Sequence, residues 1–520
     1  MEYKIIITTS GIGSRLGNIT KFTNKSLIPI GNKYAISHIL DQYDKNNEII
    51  ITLGYYGDHV REFLELAYPK RKFTFVYIDN YDGPGSSLGY SLLQAKQYLQ
   101  CPFIFHACDC LIFDKPQKPN YNWIAGYKKG ESTQYSTFSV VGDNVLNIYE
   151  KGEDVWDYIY IGLSGINDYK KFWEILEYRV NNNFKELSDI HVMKDMLKRN
   201  IKFTYKNFDK WYDIGNMGSL TYARKSIKSE YHVLEKLEES ICFLDNFVIK
   251  FFSNPEIVKN RVTRGNNLYP LTPKILDSKK YFYKYEFSKG SLLSEYNDMN
   301  KITKLLNWCQ KNLWIKQETQ NFKEKCLNFY IKKTKKRINL FFKEHNINDT
   351  TNIINGINID TIENVLNNID IQWLCNTESY QFHGDFILDN IIVNNNEYKL
   401  LDWRQDFGGD LKQGDIYYDL AKLKHNLYIN HGNIIQNLFK INIENKNITM
   451  ELQCKFNLIS QIKQLDNFII NNGYDLKKVN LLTSLIWLNI SPLHHYPFSL
   501  FLFYFGKLNL YNILNNNPYI

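Results

Sequence analysis

Residues 4–16 read KIIITTSGIGSRL, a short apolar run that ends in a glycine-containing turn with an arginine in it. Runs of the same kind return at 49–53 (IIITL), 73–78 (FTFVYI) and 103–107 (FIFHA), with helical patterns between them. Strands alternating with helices predict βαβ units, so the first part of the chain is expected to be a Rossmann-like α/β domain with a mixed, mostly parallel sheet. The alternation runs to about residue 213, and Ser219–Glu239 reads as a closing helix rich in Lys, Glu, Leu and Ala. A boundary there gives a first domain over 1–228 and a second over 235–520. The second opens on two strand-like runs, Ser240–Leu244 and Phe247–Phe252, meeting at a hairpin-type Asp245-Asn246 turn. Beyond it the chain reads as mostly helical, apart from one strand-turn-strand at Ile391–Leu401 with Asn394–Asn396 at its turn.

The length fits this division, because 520 residues exceed what one hydrophobic core encloses. With 44% hydrophobic, 15% aromatic and 23% charged residues the chain is globular and not disordered. A net charge of +8 is a mild excess that suits phosphate-bearing substrates. No compact basic block supports nucleic-acid binding, and the densest basic stretch, Ile331–Arg337 (IKKTKKR), reads as a solvated helix face. The eight cysteines are scattered without CxxC spacing and no secretory leader precedes the first strand, which predicts reduced thiols and a cytoplasmic protein. Cys108 and Cys110, on either side of Asp109, read as packing positions. Leu481–Phe505 is very apolar, but Asn489, Pro492, His494, His495 and Pro497 interrupt it, so buried helices and no membrane span are expected.

In the turn Gly11-Ile12-Gly13-Ser14-Arg15-Leu16 the glycines let backbone amides approach a phosphate while Arg15 supplies a fixed cation. A dinucleotide-binding turn would carry its third glycine at position 16, where this chain has Leu16. Lys25, in TNKSLIPI, is a second cation within reach of the same phosphates; Asp109 closes an apolar strand, and Asp213 stands in KWYDIGNMGSL. Over roughly residues 1–225 this set resembles the nucleotidyltransferases that join a nucleoside triphosphate to a sugar 1-phosphate or to phosphocholine, which have a GT-A-like fold. The resemblance implies that Gly11, Gly13, Arg15 and Lys25 hold the triphosphate, with Arg15 and Lys25 catalytic, and that Asp109 and Asp213 hold Mg2+. It further implies that Gly83 and Ser87, in GPGSSLG, lie at the base and that Glu150 and Lys151 contact the acceptor. The chain departs from the family in writing Asn24-Lys25 for Pro-Lys; Thr23–Leu27 (TNKSL) is similar to the phosphocholine enzymes, whereas the DIG around Asp213 is similar to the sugar enzymes.

Residues 383–390 read HGDFILDN, the H-x-D and asparagine spacing of a kinase catalytic loop, and a hairpin then leads to Leu400-Leu401-Asp402-Trp403. Gly414-Asp415 and Asp419-Leu420-Ala421 follow. Over roughly residues 235–520 this resembles the aminoglycoside phosphotransferase and choline kinase family. The resemblance implies that Asp385 orients or deprotonates the acceptor hydroxyl and that Asn390 and Asp402 hold Mg2+ on ATP. It implies that Lys250, in NFVIKFF, grips the α- and β-phosphates, with Glu256 as a candidate partner, and that Tyr283–Phe287 (YKYEF), with Glu286, forms the hinge beside adenine. Asp415 falls on the acceptor side, and His383 reads as structural. No APE-type activation segment lies between Asp402 and Asp419, which disfavours a protein kinase.

Together the halves predict a bifunctional enzyme. A kinase makes a phosphate monoester from a small alcohol or amino alcohol, and a nucleotidyltransferase couples it to an NTP, with CTP expected, releasing pyrophosphate and supplying an activated precursor for surface glycans. A sugar kinase joined to a sugar-1-phosphate nucleotidyltransferase is the alternative. A different class of reading makes one half a regulatory nucleotide-binding module, against which the carboxylates present in both halves argue. Self-association is left open by the sequence.

Overall fold

A computed structural model describes residues 2–519 except 154–155, 232–235, 396, 431, 433–435 and 454–455. Residue 235, expected to open the second domain, and Asn396 of the predicted turn therefore lie outside the described residues. The chain divides into two compact units: Met1–Val258 with Leu276–Tyr285, and Lys259–Ile275 with Glu286–Ile520.

The first unit is built on a nine-stranded sheet. Its strands are β1 (Lys4–Thr8), β2 (Ile49–Leu53), β3 (Phe73–Tyr77), β4 (Phe103–Ala107), β6 (Trp123–Tyr127), β7 (Thr137–Val141), β8 (Asn144–Tyr149), β9 (Tyr158–Ile166) and β10 (Thr204–Asn207). The short β5 (Cys110–Ile112) and β11 (Trp211–Asp213) form a separate pair. The large sheet runs in the order β3-β2-β1-β4-β9-β6-β10-β8-β7. Its first strands are parallel, with α1 (Gly57–Ala67) and α2 (Leu88–Ala95) in their connections, and they are the strands that the apolar runs predict. Ile5 and Ile7 enter the core on one face while Ile6 and Ile50 enter the core on the other, which explains why these runs do not alternate with polar residues.

The sheet is mixed, as expected, but it is not mostly parallel. β9 runs antiparallel to both β4 and β6, and β7 and β8 are antiparallel neighbours. Only Gly142 and Asp143 separate β7 from β8, and so short a link cannot return a chain parallel to itself. The closing helix is also shorter than predicted. Asn216 caps α4 (Met217–Ser226), accepting from Ser219 N at 3.0 Å, and the helix ends at Ile227, where the backbone leaves helical geometry.

The hairpin β12 (Glu239–Leu244) and β13 (Phe247–Phe252) turns at Asp245-Asn246 as predicted. With β14 (Ile275–Ser278) and β15 (Phe282–Glu286) it makes a four-stranded sheet. α1 packs on this sheet: Phe63 and His59 lie against Phe282, His59 also meets Phe251 and Tyr281, and Glu62 accepts from Tyr281 N at 2.9 Å. Burial pushes the His59 imidazole down to about 4, so this aromatic contact holds a neutral ring at neutral pH.

The second unit is mainly helical. It contains α6 (Lys333–His345), α7 (Ile416–Tyr428), α8 (Leu476–Ile490), α9 (Phe498–Leu514) and most of α5 (Pro255–Leu268). The hairpin β18 (Ile391–Asn394) and β19 (Glu397–Leu400) is present as expected. Two unpredicted hairpins, Asn352–Ile354 with Ile357–Ile359 and Phe439–Glu444 with Asn447–Leu452, share another sheet, numbered here β16, β17, β20 and β21 in chain order. The Asn355-Gly356 turn, with φ of 48° and 82°, was a readable hairpin signal. The apolar stretch near the end forms α8 and α9, and no described helix is long and apolar enough to cross a membrane. The IKKTKKR stretch departs from expectation: Lys332, Lys335 and Lys336 are exposed, but Lys333 and Arg337 are half-buried.

Phe282 has no exposed surface and joins α1 to the second sheet of its unit. Phe282→Ala should destabilise this unit by about 3–5 kcal/mol. Urea unfolding followed by intrinsic fluorescence measures it, and a change below about 1 kcal/mol would show that the contact is dispensable.

Candidate active sites

In the first unit the decisive local feature is the antiparallel pairing of β5 with β11. It sets Asp213 opposite Cys110, and Ile214 N donates to the carbonyl of Asp109 at 3.0 Å. Asp109 and Asp213 thereby face the same point. A Cβ on Gly215 would lie 3.0 Å from Asp213 Oδ1, 3.1 Å from Asp109 Oδ2 and 3.2 Å from Arg15 Nη2, so a side chain at Gly215 would crowd all three groups. Asp213 is fixed by Gly215 N at 2.9 Å, Tyr135 Oη–H at 2.9 Å and Asn216 Nδ2 at 3.2 Å.

Lys25 Nζ stands 2.8 Å from Asp109 Oδ2. Burial disfavours both charges, yet each partner overcomes it for the other: Lys25 is held more firmly protonated than usual and Asp109 more firmly ionised, with Arg15 adding to the latter. Asn24 fixes the loop that carries this lysine. Its buried amide donates to the carbonyls of Thr9 at 2.8 Å and Tyr55 at 2.6 Å and accepts from Ser26 N at 2.9 Å. Gly13 has φ of 68°, a left-handed value that glycine adopts without strain, and Gly11 is exposed, with open space where a Cβ would point.

Arg15, Asp109, Lys151 and Asp213 line one cavity of about 260 Å3. Glu150, next to Lys151, turns instead to α3 (Asp189–Lys198), where Lys194 meets it at 2.8 Å and His191 at 3.3 Å. Gly83 lies in an exposed loop at φ of 80°, and Ser87 caps α2, accepting from Tyr90 N at 3.0 Å. The sequence reading missed Tyr135, Tyr160 and Asp189, which also line the cavity. Asp189 is buried and accepts from the Tyr160 hydroxyl; burial pushes its carboxyl up to about 6, against that hydrogen bond. The only signal in the sequence was Ser188-Asp189 at a helix start, which reads as a cap.

In the second unit the HGDFILDN loop is held from behind. Asp419, in α7, accepts from His383 N at 2.8 Å, Gly384 N at 2.7 Å and Trp314 Nε1 at 3.1 Å. Burial pushes its carboxyl up to about 6. His383 is fully buried, and burial drives its imidazole down to about 4; Nδ1 accepts from Asp385 N at 3.3 Å while Nε2 faces the carbonyl of Leu401 at 2.8 Å. This arrangement suits a neutral, Nε2-protonated ring that shapes the loop.

Asn390 Nδ2 donates to the Asp385 carbonyl at 2.9 Å, and Leu401 N donates to the Asn390 carbonyl at 2.7 Å. Asp385 meets Lys422 Nζ at 2.7 Å; burial opposes its ionisation, but Lys422 brings the carboxyl down to about 2. Asp402 has φ of 53°, pairs with Arg261 of α5, and is followed by the buried Trp403, whose indole donates to Arg261 O at 2.7 Å. Asp415 is fully buried and caps α7, accepting from Tyr417 N at 3.0 Å, Tyr330 Oη–H at 2.7 Å and Thr377 Oγ1–H at 3.0 Å.

Other residues predicted for the second half lie on the four-stranded sheet and its exit. Lys250 is on β13, across from Ile241, and is buried. Glu286 is exposed at the end of β15, where Tyr283 and Tyr285 are buried. Glu256 lies in the first turn of α5, its amide bonded to Asn254 Oδ1 at 3.0 Å.

No protein-family profile matches the chain. The N-terminal half resembles the bifunctional protein GlmU of Methanocaldococcus jannaschii, with 24% identity over 256 residues, 47% of this chain and 60% of that protein. GlmU of Methanococcus vannielii is 23% identical over 259 residues, again 60% of that protein. The chain thus spans about 60% of the length of these relatives. Among solved structures, CTP:phosphocholine cytidylyltransferase from Streptococcus pneumoniae aligns at 21% identity and a TM-score of 0.37 over 44% of this chain and all of that one. A putative glucose-1-phosphate thymidylyltransferase from Bacillus anthracis aligns at 21% identity and a TM-score of 0.38, over 45% of this chain and 98% of that one.

Asp189 gives a direct test of the cavity's electrostatics. Its carboxyl binds a proton more readily in the folded than in the unfolded chain, so its contribution to stability falls as pH rises from about 4 to about 6. The stability of the parent relative to Asp189→Asn should therefore drop by about 1–3 kcal/mol between pH 4 and pH 7. Urea titrations across that range measure it, and a flat difference would show that Asp189 ionises as it does in water.

Proposed function

We propose that the chain is a bifunctional enzyme whose C-terminal half, 235–520, phosphorylates a small alcohol with ATP and whose N-terminal half, 1–228, couples the resulting phosphate monoester to an NTP. The observation that carries the nucleotidyl-transfer half is the cavity lined by Arg15, Asp109 and Asp213, with Lys25 paired to Asp109 beside it. The similarity to GlmU over the same half supports it. For the kinase half the support is the anchored loop, with Asp385 ionised beside Asn390 and followed by Asp402.

In the first reaction the acceptor hydroxyl oxygen forms a bond to the γ-phosphorus of ATP, the bond to the β,γ-bridging oxygen breaks, and ADP leaves. Asp385 orients the hydroxyl and takes its proton. In the second, an oxygen of the new phosphate attacks the α-phosphorus of the NTP and pyrophosphate leaves. Arg15 and Lys25 offset the charge that builds on the phosphates, and Lys151, which lines the cavity, is the candidate contact for the acceptor. The oxygen donors of Asp109 with Asp213, and of Asn390 with Asp402, suit Mg2+, which would neutralise phosphate charge at each site. The cations lining the first site suit an acceptor that already carries a phosphate, and on that reading the kinase step comes first. CTP with an amino alcohol, or another NTP with a sugar, are the pairs that the sequence resemblances imply, and the product would serve as a glycan precursor.

Asp385→Asn should lower ADP formation by about 10²–10⁴ while leaving pyrophosphate release from a supplied monoester intact. Asp213→Asn should do the reverse. With free alcohol, ATP, Mg2+ and NTP, mass spectrometry should show a monoester that rises and then declines as the nucleoside-diphosphate product accumulates. Loss of both activities from either substitution would sink the two-site scheme. Unchanged turnover in Asp385→Asn would make that half a binding module.

A further inference from the structure

The kinase catalytic loop is packed against an unusual collection of cations. Lys422 of α7 engages Asp385 at 2.7 Å. Arg404 joins the loop from the other strand of chain: its N donates to His383 O at 3.1 Å, and its side-chain stem lies along Gly384, where a Cβ would fall 2.7 Å from Arg404 Cβ and 3.3 Å from Cδ. The Arg404 guanidinium also sits over the Phe329 ring, 4.8 Å from its centre, and Lys333 Nζ sits over the same ring at 4.3 Å. Phe329 is carried by a π-helical turn, Asn328–Lys332, that feeds α6; such wide turns recur at functional sites because they re-aim the side chains around them.

These charges are poorly matched by what surrounds them. Arg404 Nε is buried and has no hydrogen-bond partner among the described residues. Burial, and then repulsion from Arg404, Arg337 and Lys422, holds the Lys333 ammonium well below its usual range, with Asp406 opposing. Asp406 Oδ1 is already bonded by Gly409 N at 3.0 Å, and Asp385 is engaged by Lys422. Holding Asp385 in place accounts for Lys422 alone. It gives no role to Arg404 and Lys333, and half-buried like charges are costly unless an anion joins them.

We propose that Arg404 and Lys333, with Lys422, form the acceptor subsite of the kinase and that the acceptor is an alcohol carrying an anionic group, a carboxylate or a phosphate. This rests on the kinase reading above and narrows its acceptor: the anion seats between the Phe329-borne cations, and the hydroxyl lies at Asp385. A cationic amino alcohol such as choline would meet repulsion at the same place. Charge-assisted bonds to a planar guanidinium fit either anion, so carboxylate and phosphate must be separated by experiment.

The test uses the full chain with MgATP and measures ADP release with choline, ethanolamine, glycerol, glycerate and glycerol 3-phosphate. The anionic acceptors should give a kcat/KM at least about 10-fold above the others, and whichever of glycerate and glycerol 3-phosphate is better identifies the anion. Lys333→Met and Arg404→Gln should each raise the KM of that acceptor by about 10-fold or more while the KM of ATP stays within about 2-fold. Preference for choline, ethanolamine or glycerol overturns the proposal and leaves the kinase reading standing. An effect of Lys333→Met on the KM of ATP in place of the acceptor's also overturns it. If no acceptor turns over, calorimetric titration with MgATP decides: ATP binding without anion-dependent turnover counts against the subsite, and absence of ATP binding removes the kinase reading itself. Lys333→Met does not touch Gly384, so a folded variant remains available if Arg404→Gln fails to fold.

Discussion

Asp109 can remain ionised in its half-buried position because Lys25 lies 2.8 Å away, and Lys25 is there because Asn24 ties its loop to the end of β1. This ion pair would be a weak source of stability, since desolvating two charges offsets most of their attraction. Its value is positional. It keeps a carboxylate and an ammonium preformed near Asp213, a fixed arrangement of charge that needs little reorganisation. The β5–β11 pairing supplies the other constraint, joining segments far apart in sequence through backbone hydrogen bonds that tolerate almost no displacement.

The second unit solves a similar problem with opposite means. Its loop is fixed mainly by one buried carboxyl, Asp419, which takes the successive amides of His383 and Gly384, and by a neutral imidazole locked between Asp385 N and Leu401 O. Asp402 stands in a left-handed conformation, which costs about 1–3 kcal/mol. The ion pair to Arg261 and the burial of Trp403 against α5 hold it there. Arg264, buried in the same helix, donates to the carbonyls of Phe382 and Arg404 and so ties both sides of the loop to α5.

Much of this was legible in the residues. Short apolar runs bounded by turns and separated by helical patterns suit strands buried on both faces, so β1, β2 and β4 were readable, as were the hairpins at Asp245-Asn246 and Ile391–Leu400. Arg15, Lys25, Asp109 and Asp213 were singled out by residue type and spacing, and the fold does bring them together. The antiparallel half of the sheet was harder to see, because β7 and β8 carry exposed residues such as Val141 and Leu146 that blur their alternation.

What the sequence by itself determined is therefore the chemistry that travels in short segments: a glycine turn with its arginine, a lysine in a fixed loop, and an H-x-D loop with its asparagine. These are local because backbone turns and catalytic loops are set by adjacent residues. What only the tertiary structure decided is which distant groups share a space. Asp189 reads as a helix cap until Tyr160 is found bonded to it in the cavity. Lys333 reads as part of a solvated basic face until the π-helical turn rolls it onto Phe329 beside Arg404. Burial and charge proximity are properties of packed surfaces, and a linear pattern holds no record of which surfaces meet.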